Sequence, residues 1–202
     1  GKPLFRWILD TLLVVEEIDE IIINTDARQI LAENGLTDTE RITIRDRKPE
    51  ICGDDVSMNL VLADDVANVP ADLYLMTHTT NPLLSANTVR NALAAFQQAQ
   101  VAGHADSLFT VDKVQTRFYR ADCSPVNHDP DNLIPTQNLE PWFEENSNLY
   151  IFTSQSFFTT NSRIGSRPML YELPRLESID IDTHDDWNIA VAMNQASSLY
   201  QK

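Results

Sequence analysis

Apolar residues in this chain keep changing period, and that constrains the fold more than any other feature. PLFRWILDTLLVVE (3–16) spaces them as one face of a helix, whereas EIIINTD (20–26) is a β-branched run that ends in polar residues. Residues 27–34 return to helical spacing and stop at Gly35, and RITIRD (41–46) alternates like a short strand. VSMNLVLADDVANV (56–69) is helical. DLYLMTHTTNP (72–82) is a strand running into a turn, 86–100 is helical, and DSLFTV (106–111) is a strand again. NLYIFT (148–153), RPMLYEL (167–173) and SIDID (178–182) are further strands, and a helix from about Asp185 to Tyr200 follows. Strands alternating with helices predict an α/β fold around a parallel sheet. Residues 112–145 break the rhythm. Pro125, Pro130, Pro135 and Pro141 interrupt them, and only KVQTRFYR (113–120) is strand-like. That stretch, about 112–147, reads as an excursion from the core or a small lobe.

Charge narrows the function. Thirty acids stand against 15 bases, a net charge of −15. Polymeric nucleic acid and anionic membrane surfaces both need a basic footprint, so neither is an expected partner. A small anionic ligand remains open if a metal, a few local bases or backbone N–H groups offset the field. No apolar run approaches the ~20 residues of a membrane span. GKPLFRWILD lacks the continuous apolar core of a signal peptide. Cys52 and Cys123 show no metal-binding spacing and read as free thiols of a reducing, cytoplasmic compartment.

In open α/β sheets, ligands bind at the carboxyl ends of strands. Three polar clusters fall at such ends: Asn24-Thr25-Asp26, the run from Thr77 to Pro82 (THTTNP), and Asp180-Ile181-Asp182. On a strand, Asp180 and Asp182 would project on one side. Two neighbouring carboxylates suit Mg²⁺, which takes one or two of them and completes its shell with phosphates and water. The alternative is that Asp182 or Thr183 caps the last helix, with Asp185 and Asp186 in its first turn. Thr25-Asp26 equally suits an N-cap. His78 suits a structural role, and Arg45, Arg47 and Lys48 suit either a solvated loop or a phosphate site.

The segments GKPLFRW, EIIINTDARQI, RKPEICGDDVSMN, LMTHTTNPLL, DSLFTV, EENSNLYIF and ESIDIDTHDDW occur in an order that resembles the acylneuraminate cytidylyltransferases, over nearly the whole chain. The resemblance implies a Rossmann-like nucleotidyltransferase sheet with helices on both faces. It also implies a Mg²⁺-dependent reaction of CTP with a sialic-acid-like sugar acid, giving the CMP-sugar and pyrophosphate. A homodimer is implied too, built through the 112–147 extension. Asp180 and Asp182 match the family's metal-binding aspartates. His78, Thr80 and Asn81 occupy a turn beside sugar and nucleotide, with His78 where many members have Gln. Thr25 and Asp26 match a strand end near the nucleotide. Lys48 takes the place of an Arg and keeps its charge without the bidentate fork. Gln115, Arg117 and Arg163 are candidates for the sugar carboxylate. The neighbouring readings are a synthetase for a Kdo-like keto-sugar acid and a non-catalytic nucleotide-binding homologue.

One departure stands out. The family opens with a strand and a basic Gly/Ser-rich loop, similar to A-R-x-G-S-K-G-x-x-x-K-N, that wraps the triphosphate. This loop would precede GKPL and is absent from the sequence. Because the first strand is central in such folds, about twenty preceding residues are expected in the working protein. The 202-residue chain by itself is expected to bind CTP poorly.

Overall fold

A computed structural model describes residues 1–200, with side chains through residue 196. The elements in order are α1 (Phe5–Leu13), β1 (Ile21–Thr25), α2 (Arg28–Glu33), β2 (Ile42–Asp46), α3 (Met58–Asn68), β3 (Tyr74–Thr77), α4 (Ala86–Val101), β4 (Ser107–Val114), β5 (Trp142–Phe152), α5 (Ser154–Thr160), β6 (Pro168–Glu172) and α6 (His184–Tyr200). Helix starts follow the local chemistry. The Ser57 hydroxyl accepts from Asn59 N–H before α3, and the Ser85 hydroxyl accepts from Thr88 N–H before α4. Thr153 and Ser156 form a reciprocal capping box at α5. Gly35, at φ 72°, ends the α2 segment in the left-handed region that favours glycine.

Two sheets result. β1 and β2 pair in parallel, and β3-β5-β4-β6 form a four-stranded sheet. Within the larger sheet β4 and β6 are parallel, but β5 runs antiparallel to both β3 and β4. The parallel expectation therefore holds for two pairings and fails at β5. The long 112–147 excursion is what lets the chain turn back and pair in the opposite direction. Its two ends are strand, since Val111–Val114 pairs with Trp142–Glu145, and the loop proper lies between them.

Strand residues alternate between two cores. Leu75, Leu108, Leu149 and Ile151 join α1, α2 and α4 through Ile8, Leu31, Val89 and Phe96. Met76, Tyr150 and Phe152 join α3 and α5 through Leu62, Val66 and Phe157. Because consecutive side chains on a strand point to opposite faces, helices cover both faces of the sheet.

The SIDID segment corrects its prediction: residues 178–182 are not a strand. Their peptide groups are spent on a turn instead of a ladder. Ile181 N–H donates to Thr80 O at 3.0 Å, and the Asn81 amide donates to Ile179 O at 3.2 Å. Alternation of Ile and Asp there reflects one residue anchored and the next released, so a shared strand face for Asp180 and Asp182 does not exist.

Candidate functional site

The site is built where β3 ends. After Thr77 the chain turns through residues 78–81, closed by Asn81 N–H to His78 O at 3.4 Å. Asn81 is fully buried, and its amide clamps Ile179. Asn148, also fully buried on β5, donates to Glu177 O at 3.0 Å. The Glu177 carboxylate accepts Ser85 N–H at 2.9 Å, at the start of α4. Residues 177–181 are thus tied at four points, and Asp180 is delivered beside His78. Asn81 thereby positions this segment.

Asp180 Oδ1 is buried and has no hydrogen-bond partner. It lines a cavity of about 260 Å³ with Asp112, Glu144, Glu145, Asn146, Ser147 and Ser178. Asp112 and Glu144 sit directly opposite each other in the β4–β5 ladder, where like charges repel. The pairing register shifts just beyond them, between Phe109 and Val111, and Ser147 takes φ 54°. This bulge opens the sheet at the cavity.

Arg163, after α5, stacks its guanidinium 4.1 Å from the Tyr150 ring centroid and donates to the Tyr150 hydroxyl at 3.1 Å. It also lies 3.7 Å from the Glu145 carboxylate. Tyr150 hydrogen-bonds Glu145, and burial followed by that bond raises its pKa. Burial lowers the His78 pKa, the positive charge of Arg163 lowers it further, and Asp180 opposes both. His78 is therefore the neutral imidazole near pH 7.

Asp182 is exposed. The capping role falls to its neighbours: Thr183 N–H and its hydroxyl donate to the Asp186 carboxylate at 2.8 and 2.7 Å, and the Thr183 hydroxyl accepts Asp186 N–H at 3.3 Å. Those bonds hold the Asp186 pKa below the usual carboxylate range.

A second cluster gathers at the end of β1. The Thr25 hydroxyl accepts Ala27 N–H at 3.0 Å, so it closes a local turn and is not the N-cap of α2; Asp26 is exposed. Lys48 pairs with Asp64 at 2.5 Å, and Arg45 bridges Asp64 and Asp65. Lys48 is the main reason the Asp64 pKa is lowered, whereas burial raises that of Asp65 despite Arg45 and Asn24. Arg47 donates to the Asn24 carbonyl at 2.8 Å. The basic spot seen in the sequence is largely neutralised from within.

Gln115 and Arg117 do not face this site through their hydrogen bonds. Gln115 donates to Leu139 O at 2.9 Å and Arg117 to Ile134 O at 2.6 Å, so both staple the extension.

A family model described as "Cytidylyltransferase" matches residues 1–202. The chain belongs to the cytidylyltransferase family. The chain is 24% identical over 196 residues to the N-acylneuraminate cytidylyltransferase of Streptococcus agalactiae serotype V, covering 93% of this chain and 46% of that protein. It is 24% identical over 200 residues to N-acylneuraminate cytidylyltransferase B of Danio rerio, covering 94% and 45%. The chain spans about half the length of the curated relatives it matches. Among solved structures it resembles the 4-diphosphocytidyl-2C-methyl-D-erythritol synthase of Anaerococcus prevotii, with TM-score 0.69, 15% identity, and 96% and 87% of the two chains covered. It also resembles a CMP:2-keto-3-deoxy-manno-octonic acid synthetase solved with CTP, with TM-score 0.61, 14% identity, and 98% and 89% covered. These two likenesses establish the nucleotidyltransferase fold.

The sequence pattern did not single out Asp112, Glu144, Glu145, Tyr150 and Asn148. Their separation along the chain hides them, and only the antiparallel return of β5 brings Asp112, Glu144 and Glu145 to the Asp180 cavity, with Tyr150 bonded to Glu145 and Asn148 to Glu177 O. Asn148 alone left a trace, as an amide at the head of the apolar run LYIF. Among the described residues, no group of three or more His, Cys, Asp or Glu is arranged to hold a metal. Asp180, with one enclosed and unpartnered oxygen, still fits a hard cation whose other ligands come from phosphate and water. No helix among the described residues is long and apolar enough to cross a membrane.

Proposed function

We propose that this chain carries the nucleotidyl-transfer site of an enzyme that joins CTP to a sialic-acid-like keto-sugar acid and releases pyrophosphate. The observation that carries this reading is the zip between turn 78–81 and segment 177–181. It sets His78, Asp180 and Arg163 around one site in a chain that matches the cytidylyltransferase model from end to end. The named activity of the streptococcal and zebrafish relatives supports the choice of sugar.

The reaction is an in-line attack of the sugar's anomeric hydroxyl on the α-phosphorus of CTP. It depends mainly on positioning and charge neutralisation. Neutral His78 is suited to take the hydroxyl proton, and Arg163, held flat against Tyr150, presents a guanidinium to a sugar carboxylate. Asp180 and Asp182 are the residues that would hold Mg²⁺, which supplies charge neutralisation for the triphosphate. Thr80, Thr25, Asp26 and Lys48 border the nucleotide side. The extension exposes Tyr119, Leu133, Trp142 and Phe143, apolar surface suited to a homodimer contact.

The test measures pyrophosphate release by the natural, full-length polypeptide with CTP, Mg²⁺ and a panel of sugar acids. N-acetylneuraminate is the expected substrate, and Asp180→Asn and Asp182→Asn are expected to abolish turnover with the fold retained. Turnover of an eight-carbon keto-sugar acid alone overturns the choice of sugar. Full activity of both variants removes the metal assignment. Sedimentation of the same protein as a monomer removes the dimer.

A further inference from the structure

Arg163 stands in the loop between α5 and β6, and its side chain is 20% exposed. Arginine has several rotatable bonds, so the stack on Tyr150 holds the guanidinium in one place only if the backbone at its base is fixed too. That backbone has no strand to pair with. The β4–β6 ladder begins at Ser107 and Pro168, and just ahead of it Asp106 N–H donates to Arg167 O at 3.0 Å. The loop amides from Arg163 to Arg167 need other acceptors.

Side chains supply all of them. Arg163 N–H donates to Asn59 Oδ1 on α3 at 3.2 Å, and Ile164 N–H donates to the Ser162 hydroxyl at 3.2 Å. Gly165 N–H donates to Ser107 Oγ at 2.8 Å. Ser166 N–H and Arg167 N–H donate to the two oxygens of the Asp106 carboxylate at 3.1 and 3.0 Å. Three consecutive amides therefore end on two neighbouring residues, the polar pair at the head of DSLFTV. Ser107 is fully buried, and a Cβ at Gly165 would lie 2.3 Å from Asp106 Oδ1. Only glycine lets the loop come this close to the carboxylate.

We propose that Asp106 and Ser107 are positioning residues, which clamp the 163–167 loop so that Arg163 is held against Tyr150, ready for an incoming carboxylate. That this carboxylate belongs to the sugar acid rests on the function proposed above; the clamp itself does not. Both side chains act through Arg163. The clamp orders the loop when the chain folds, so binding loses less conformational freedom and the guanidinium meets its ligand already aimed. Asp106 contributes most, because a carboxylate is a stronger acceptor than a hydroxyl and engages two amides at once. Asn59 fixes the near end of the loop from α3, on the opposite side from β4.

Two measurements on the natural, full-length polypeptide test the clamp, and the first needs no substrate. Asp106→Asn keeps the side chain's shape but offers an NH₂ group to one of its two amides, and Ser107→Ala removes the acceptor of Gly165 N–H. Each variant should speed exchange of the 163–167 amides about ten-fold. Each should also move the Arg163 Nε–H resonance, identified by its loss in Arg163→Ala, toward that of a free arginine as the ring stack loosens. Unchanged exchange, or an unmoved resonance in both variants, overturns the proposal. The second measurement is pyrophosphate release with CTP and N-acetylneuraminate. Asp106→Asn is expected to raise KM for the sugar acid about ten-fold and to leave KM for CTP within about two-fold. In the Arg163→Ala background the same substitution should add nothing, because its effect passes through Arg163. A fall in kcat with both KM values unchanged is the mark of lost folded protein and overturns the proposal, as does a full second rise in the Arg163→Ala background. If Arg163→Ala itself leaves KM for the sugar acid unchanged, the proposed sugar contact fails and the resonance alone decides the clamp.

Discussion

Replacing Asn81 by Ala separates the tether of the 177–181 segment from the stability of the whole molecule. Asn81 is 0% exposed and makes one long bond, 3.2 Å, from its amide nitrogen to Ile179 O, while its Oδ1 has no partner. Losing that bond costs about 0.5–1.5 kcal/mol, but removing the enclosed, unpartnered oxygen returns about 1–3 kcal/mol of desolvation. The vacated space costs about 1 kcal/mol if the surroundings do not close over it. These contributions nearly cancel, so the melting temperature should move by no more than about 4 °C. The tether is a different matter. Its loss leaves Ile181 N–H to Thr80 O, Asn148 to Glu177 O and Ser85 N–H to the Glu177 carboxylate to hold the segment. Local opening should become easier by about 1 kcal/mol, which is roughly a five-fold faster exchange of the Ile181 amide. Hydrogen exchange on peptides covering 176–183, beside a thermal melt, reads both quantities. Unchanged exchange at Ile181 together with a melt lowered by 10 °C or more would refute the reasoning, because it would make Asn81 a core residue and not a tether.

Three further outcomes follow from the same structure. A Cβ at Gly165 would collide with the Asp106 carboxylate, which accepts Ser166 N–H and Arg167 N–H at 3.1 and 3.0 Å. Gly165→Ala should therefore cost about 1–3 kcal/mol in chemical denaturation, and wild-type stability would contradict the contact. The His78 pKa lies below 6.5 in the folded chain, so the native state binds fewer protons than the unfolded one just below that pH. His78 thus contributes stability that is full above 6.5 and lost as pH falls toward the folded value; His78→Gln should flatten that decline, and NMR titration of Arg163→Ala should show the His78 pKa rising. Thr153→Ala removes the α5 capping box at a cost of about 1 kcal/mol, and Thr153→Ser should restore most of it in the same melt.

The alternation of β-branched runs with amphipathic stretches was enough to read the α/β class and the approximate place of most strands and helices, because period is a local property of side-chain direction. His78 and Asp180 stood out as candidates for a similar reason, since polar groups show against apolar neighbours.

Other features depended on partners far away in the chain. SIDID has the alternation of a strand, yet its peptide groups go to Thr80 and to the buried amide of Asn81, and hydrogen bonding decides between strand and coil. Gln115 and Arg117 are polar in a polar segment, and only the fold of the extension shows that carbonyls of Leu139 and Ile134 take their donors. The acids around Asp180 come from β4 and from the far side of a long excursion, brought together by an antiparallel pairing that no local pattern encodes. The sequence alone therefore determined most of the local structures and which residues carry charge. The tertiary structure decided which charges are already neutralised, which are left without a partner, and where the sheet stands open, because those outcomes are set by non-local contacts.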